Sequence, residues 1–369
     1  EALEKKGHEV QYFGMEHEGR IVGNHAQVYT NNMDFHGSKW QKLLYPFRII
    51  YSREAKKKIG LVLADFQPDV VHLNNINFQL TPSIIYGIKD YEKKAGRHIP
   101  IIFTAHDYQW VCPNHMMRIP SSGRICFACR GGDFKQCSKN RCIHNSRVKS
   151  MLGTMEANYY ARRKTYGLVD TIICPSEFMK TQLDTNPMLA EKTVALHNFI
   201  DAEAVGKMQD ETNRSRDYVV YFGRFAEEKG TKTLLEACRA LPQIPFVFAG
   251  TGLEEEVNQV ENVENRGFVT GEALKKLIAG ARFSVYPSEW YENCPFSVME
   301  SQMYGTPVLV SDLGGSGELV QAGVTGELFR GGDVEELTRH IEGLWNQPDL
   351  CGKYAQNCKN INFDTAETY

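Results

Sequence analysis

The stretch Tyr218-Val219-Val220-Tyr221-Phe222-Gly223-Arg224-Phe225-Ala226-Glu227-Glu228-Lys229-Gly230 sets the fold class. Its first five residues are apolar or aromatic and read as a strand buried on both faces. The run stops at a glycine, and a charged turn then leads into a helical pattern. The design recurs toward the C-terminus at Phe246-Val247-Phe248-Ala249-Gly250, Phe283-Ser284-Val285-Tyr286-Pro287 and Pro307-Val308-Leu309-Val310-Ser311. Toward the N-terminus it recurs over residues 8–13, 69–74, 101–107, 171–176 and 193–198. Near-continuous apolar strands separated by helical patterns predict parallel sheets covered by helices on both faces.

A polar stretch from Asp210 to Asp217 interrupts the alternation and reads as a linker. The predicted organisation is α/β, with two Rossmann-like doubly wound domains over residues 1–205 and 215–345 and a helical tail over 346–369. A cysteine-rich insert occupies residues 112–145 of the first domain. Ligands of open α/β sheets bind beyond the carboxyl ends of the strands. Two such domains facing each other are therefore expected to enclose a cleft for a cofactor-sized ligand.

A length of 369 residues suits two domains, and 42% hydrophobic residues suffice for two cores. A charged fraction of 24% with net charge −3 argues against a disordered chain and against a dedicated nucleic-acid binder. No run of 18 or more apolar residues predicts a membrane span, and no secretory signal is read. Residues 2–8 read as the end of a helix capped by Gly7, so a chain lacking its first strand is expected. Five of the ten cysteines fall between Cys112 and Cys142 and the rest are scattered. That usage suits a reducing cytosol better than a secreted disulfide framework.

Glu292-Asn293-Cys294-Pro295-Phe296-Ser297-Val298-Met299-Glu300 carries the strongest chemical signal. Pro295 suits a first helical turn, which places Glu292 on the preceding loop and Glu300 on the helix. The amides around Asn293–Phe296 are then at a helix start, where a diphosphate is stabilised. Two acids favoured there by the helix dipole alone are the plain alternative. Arg224 and Lys229 lie on one turn after a buried strand and are placed to share an anionic group, Arg as a fork and Lys as a point charge. Gly250-Thr251-Gly252 and Gly314-Gly315-Ser316-Gly317-Glu318 are glycine turns that permit close backbone approach.

The Gly223–Gly230 segment, the later Gly267-Phe268-Val269 and the two glutamates with seven residues between them resemble glycosyltransferase family four in kind and order. That family comprises retaining enzymes of the GT-B fold, here of the polysaccharide-biosynthesis type. The resemblance spans nearly the whole chain. It implies that Gly223, Arg224 and Lys229 hold the donor diphosphate, Glu300 the ribose hydroxyls, and Phe268 and Val269 the base. It places Glu292 at the transferred sugar, with Asn293, Cys294, Pro295 and Phe296 lining sugar and phosphate. His106, in His106-Asp107, resembles the family's histidine near the donor sugar. Asn198 and Ser176-Glu177 resemble family positions near the crossing between domains.

The implied donor is a UDP-sugar, or alternatively a GDP-sugar, with no catalytic metal. The implied acceptor is a glycan or a lipid-linked saccharide, used at the cytoplasmic face of the inner membrane. Lys56-Lys57-Lys58 and Arg162-Arg163-Lys164 are candidates for peripheral membrane contact, or simply solvated helix faces. Cys126, Cys129, Cys137 and Cys142 have spacings that suit a structural zinc site, with Cys112 and His144 at its edges. Disulfides and free thiols are the alternatives. Two other functions fit the same features: a nucleotide-sugar epimerase, and a non-catalytic zinc-stapled binding protein.

Overall fold

The computed structural model describes residues 2–31, 48–77, 79–200 and 216–369. Residues 210–215 of the expected linker lie outside the described residues. The chain forms two compact units. One comprises Glu1–Pro175 with Lys180–Ala195, and the other Ser176–Met179 with Leu196–Tyr369.

In the first unit a short helix α1 (Ala2–Lys5) ends at Gly7, whose φ of 87° supplies the left-handed stop. Helix α2 (Arg53–Phe66) begins at Ser52, whose hydroxyl accepts the Ala55 N–H at 3.1 Å. Then follow β1 (Val71–Asn74), α3 (Ser83–Ala95), β2 (Ile101–Thr104), α4 (Lys135–Lys139), α5 (Arg147–Arg162), β3 (Thr171–Cys174), α6 (Glu177–Asp184), whose first residues to Met179 belong to the second unit, and β4 (Thr193–Ala195). Among the described residues the strands form one parallel sheet in the order β1-β2-β3-β4. Val71 pairs with Ile101, Ile102 with Thr171 and Ile172 with Thr193. Ile59, Val62 and Leu63 of α2 are buried, as are Ile84, Ile85 and Ile88 of α3 and Phe103 of β2. Each such side chain contributes about 1.5–3 kcal/mol by leaving water.

Residues 8–13 do not form the expected strand. Their hydrogen-bonding groups are taken by a local return of the chain. Tyr12 N–H donates to the Gly23 carbonyl at 2.8 Å, and Thr30 N–H donates to Gly14 at 3.0 Å. Gln11 and Phe13 instead line an apolar cavity of about 140 Å³ with Ile59, Leu63, Leu73 and Ile84.

The second unit contains β5 (Val219–Phe222), α7 (Thr231–Ala240), β6 (Phe246–Ala249), α8 (Glu254–Val257), β7 (Val263–Asn265), α9 (Gly271–Gly280) and β8 (Phe283–Tyr286). It continues with α10 (Phe296–Met303), β9 (Val308–Ser311), β10 (Gly326–Phe329), α11 (Val334–Trp345) and α12 (Pro348–Cys358). The strands form a parallel sheet in the order β10-β9-β8-β5-β6-β7. Counted along the chain this is the 3-2-1-4-5-6 order of the doubly wound nucleotide-binding fold, which reverses between β5 and β8.

Alternation along the strands feeds two cores. Val219 and Tyr221 of β5 join Phe246, Phe248, Phe283 and Leu309 beneath α7, α11 and α12. Val220 and Phe222 join Tyr286, Val308 and Val310 beneath α9 and α10. Residues after position 345 are part of this packing, since Cys351 and Tyr354 are buried in the first of these cores.

Candidate active site

The reversal between β5 and β8 brings the exits of those strands together, and the two strongest sequence signals lie on them. Gly230 ends the turn after β5 with φ 70°. A Cβ built there would lie 1.8 Å from the Pro287 carbonyl oxygen, so only glycine lets this turn pack on the exit of β8. The result is an ion pair: Lys229 Nζ lies 2.5 Å from Glu292 Oε1. The same carboxylate oxygen accepts Ser288 Oγ at 2.8 Å and the Trp290 indole N–H at 2.7 Å. Lys229 Nζ also sits 5.1 Å from the centre of the Trp290 ring, a cation–π contact. Glu292 keeps 12% of its side chain exposed and Lys229 27%.

Arg224, on the same turn, pairs with Glu228 at 2.5 Å and is 59% exposed. Gly223 lies at the exit of β5, where its N–H donates to Ala249 at 3.0 Å. Phe268 projects to solvent from the loop between β7 and α9, while Val269 packs on the core.

The start of α10 differs from the sequence expectation by one position. Pro295 is the cap residue and Phe296 the first helical residue, with no side chain capping the helix. Cys294 is buried; Asn198 Nδ2 donates to its carbonyl at 3.0 Å, and its thiol is pushed up to about 11 by burial. Its contribution to any ligand is therefore through its backbone. Glu300, on α10, is half-buried, and burial raises its carboxyl above the ordinary range. Its carboxylate has no ion-pair or hydrogen-bond partner among the described residues. A carboxylate held this way suits the hydroxyls of a ligand, which supply the missing donors.

The glycine turn after β9 closes on the same loop. Gly315 N–H donates to the Glu292 carbonyl at 2.7 Å, and a Cβ on Gly315 would lie 1.7 Å from the Asn293 oxygen. Glu318, at the end of that turn, accepts the amides of Glu177 at 2.8 Å and Phe178 at 2.6 Å and faces His197 at 3.2 Å. Burial opposes ionisation of Glu318, but the His197 bond and those amides outweigh it and hold its pKa down. Sequence reading passed over Glu318, His197, Ser288 and Trp290 as individual residues. The signal for Glu318 was its place after three glycines.

In the first unit, His106 follows β2 and is exposed; its Nε2 lies 2.8 Å from Asn74 Oδ1, after β1. Partial desolvation lowers its pKa, with Asp107 opposing. The expected zinc site is not supported. Among the described residues no group of three or more His, Cys, Asp or Glu is placed to hold a metal ion. Cys129, Cys137 and Cys142 are buried with Ile119 and Phe134, and Cys126 packs against them. All are free thiols. The physical reason is that these thiols act as small apolar side chains. Helix α5 does the stapling: Thr154 Oγ1 donates to the Phe134 carbonyl at 3.0 Å, and Ser150 Oγ accepts the Ile143 N–H at 2.9 Å.

Residues 1–204 match the family model Glycosyltransferase Family 4, and residues 207–361 match Glycosyl transferases group 1. The chain is 24% identical over 227 residues to an uncharacterized glycosyltransferase of Methanocaldococcus jannaschii, covering 60% of this chain and 62% of that one. It is 25% identical over 173 residues to the processive diacylglycerol alpha-glucosyltransferase of Acholeplasma laidlawii, covering 42% of this chain and 52% of that one. The chain thus spans about half to three-fifths of the length of these relatives. Among solved structures it resembles Anabaena HepE in complex with UDP-glucose, with TM-score 0.58, 17% identity and 95% of each chain covered. A family model matched over residues 1–204, more than half of the chain, settles the assignment: the chain belongs to Glycosyltransferase Family 4.

Proposed function

We propose that the protein is a retaining glycosyltransferase that moves a hexose from a nucleotide-diphosphate donor, UDP-sugar before GDP-sugar, to a glycan or lipid-linked acceptor. The observation that carries this reading is the Lys229–Glu292 pair at the reversal of the second unit's sheet, with Arg224 beside it and the uncapped start of α10 after it. Arg224, Lys229 and the amides around Asn293–Phe296 hold the diphosphate, with Gly223 giving the backbone room. Glu300 takes the ribose hydroxyls, and Phe268 with Val269 meets the base. Glu292, fixed by three donors, orients Lys229 and meets the transferred sugar; His106, after β2 of the first unit, is the second proposed catalytic residue. The UDP-glucose complex of the similar Anabaena protein supports a uridine donor.

The chemistry is electrostatic and positional. The bond from the anomeric carbon to the diphosphate oxygen breaks, and the acceptor oxygen bonds to that carbon on the same face. The acceptor proton passes to the departing phosphate oxygen. Cations at the diphosphate stabilise the charge that grows there.

Action at the cytoplasmic face of the membrane is part of the proposal. It is supported by a cationic groove between α2 and α3, where Arg53, Lys56, Lys57, Lys94 and Arg97 face one acid, Asp90.

A thermal-shift titration with UDP, GDP and ADP, on the chain and on Glu300→Ala, tests the reading. A ligand that binds only the folded chain raises the melting temperature, by about 2.7 kcal/mol of stability at a hundred times Kd. The expected outcome is a shift with UDP that Glu300→Ala loses. A folded chain that shifts with none of the three overturns it.

A further inference from the structure

Behind His106 the first unit carries a chain of ionisable groups with no part in the scheme above. Asp107 follows β2. Its Oδ1 accepts the Gln109 N–H at 2.9 Å, and its Oδ2 lies 3.0 Å from His115 Nδ1. Asn77, after β1, donates to the same Oδ2 at 3.3 Å. The loop from His106 to His115 closes on itself, since Tyr108 N–H donates to the His115 carbonyl at 3.2 Å and His115 N–H to Cys112 at 2.9 Å.

His115 holds φ at 67°, a left-handed conformation that costs a non-glycine residue of order 1 kcal/mol or more and persists where surroundings fix it. His115 and Glu156 of α5 line one small cavity of about 30 Å³ with Gln109, Trp110 and Tyr166. The Trp110 indole nitrogen, 3% exposed as a residue, has no hydrogen-bond partner among the described residues. Orphaned donors, strained backbone and buried acids cluster at working sites more than in plain cores.

We propose that His115 is a positioning residue for glycosyl transfer: clamped by Asp107 and backed by Glu156, it carries the proton that fixes the His106–His115 loop at the carboxyl end of β2. The proposal rests on the role given to His106 above. The charged and titratable groups facing this network are Asp107 from the loop after β2, Glu156 and Tyr160 from α5, Tyr166 after it, and Tyr86 from α3.

The electrostatics agree in sign. Burial alone would lower the pKa of His115, but the bond to Asp107 and the charges of Asp107 and Glu156 outweigh it and raise it. Burial pushes the Glu156 carboxyl up to about 7, with His115 opposing. Below that value Glu156 is neutral and the Asp107–His115 pair stands alone. Above it, ionised Glu156 adds a second anion that holds the His115 proton. Loss of that proton as the pH rises through the raised His115 pKa turns the charge-assisted bond to Asp107 into a neutral one, which weakens the clamp and loosens the loop.

The test is a titration of the His115 ring in the full chain labelled at histidine, identified by the signal that His115→Gln removes, together with the pH profile of kcat/KM. Glu156→Gln keeps a neutral group of the same shape, so folding is expected. In that variant the His115 midpoint moves to lower pH, and the alkaline limb of kcat/KM moves with it. Asp107→Asn moves both further and serves should Glu156→Gln not fold. A His115 midpoint unmoved in both variants overturns the proposal, as does an alkaline limb that stays while the midpoint moves. Absence of any transfer by the unaltered chain, with nucleotide binding also absent, would instead count against the donor-site reading, and the ring titration would still decide whether the network exists.

Discussion

Glu292 is the residue on which the second unit's site turns. One of its oxygens accepts Lys229, Ser288 and Trp290 together. Removing Lys229 still leaves that oxygen two donors, so the fold has no buried orphan to accommodate. Lys229→Met is therefore expected to separate catalysis from stability. Its kcat/KM should fall about 10²-fold or more, the usual effect of deleting one group that stabilises developing charge. Its melting temperature should stay close to that of the unaltered chain, and steady-state kinetics beside a thermal melt check both. An equal loss of stability would mean that Lys229 serves the fold rather than the transfer. Lys229 and Glu292 were legible because charged residues between a buried strand and a helix have few structural reasons to be there. Trp290 and Ser288 were not, because an aromatic and a hydroxyl in a loop read equally well as packing and as a turn. His115 and Glu156 escaped because their meaning lies in one cavity that they line from 41 residues apart in sequence, a loop on one side and α5 on the other.

The elements were read from apolar continuity, which found the four strands of the first unit's sheet and the central strands of the second but missed both edges of the second. β5, β6, β8 and β9 are buried at all four positions, and their runs stand out in the sequence. β7, Val263-Glu264-Asn265, is a three-residue strand with one apolar side chain. It lies at one sheet edge and β10 at the other, and neither was anticipated. An edge strand needs to bury less, so its sequence says less. The joints between elements are set by backbone proximity, and Gly230 tests this. Gly230→Ala must adopt φ 70° and also displace the Pro287 carbonyl, so it is expected to cost more than about 2 kcal/mol and to lower the melting temperature by roughly 5 °C or more. Gly343→Ala, inside α11 with open space around its Cβ, is the control. It should gain up to about 1 kcal/mol from helix propensity. Thermal or urea unfolding of the two variants measures the contrast, and equal effects would remove the close-approach argument.

At the scale of the whole molecule, charge is unevenly spread. The chain carries net charge −3, yet one face of the first unit gathers cations. The groove holding Arg53, Lys56, Lys57, Lys94 and Arg97 has a volume of about 920 Å³. A second, of about 950 Å³, shares Tyr51 and Arg53 with it and adds Arg48 and Arg163. Some of this charge is answered locally, Lys56 by Asp90 at 2.7 Å and Arg48 by Glu54 at 3.1 Å. Lys57 and Lys94 have no ion-pair partner among the described residues. Leu61, on α2, is 50% exposed and Met155, on α5, 49%. Cations with apolar side chains among them suit an anionic lipid surface, where each cation contributes about 1 kcal/mol. Co-sedimentation with vesicles of phosphatidylglycerol and phosphatidylcholine should show binding that phosphatidylcholine alone does not give and that salt weakens. Lys57→Glu with Lys94→Glu removes two attractions and adds two repulsions, so it should weaken that binding by tenfold or more. Because neither residue belongs to the donor site, the UDP-dependent thermal shift should be unchanged. Binding that is indifferent to lipid charge, or to this reversal, would leave the cationic grooves as solvated helix faces and remove the membrane from the proposed function.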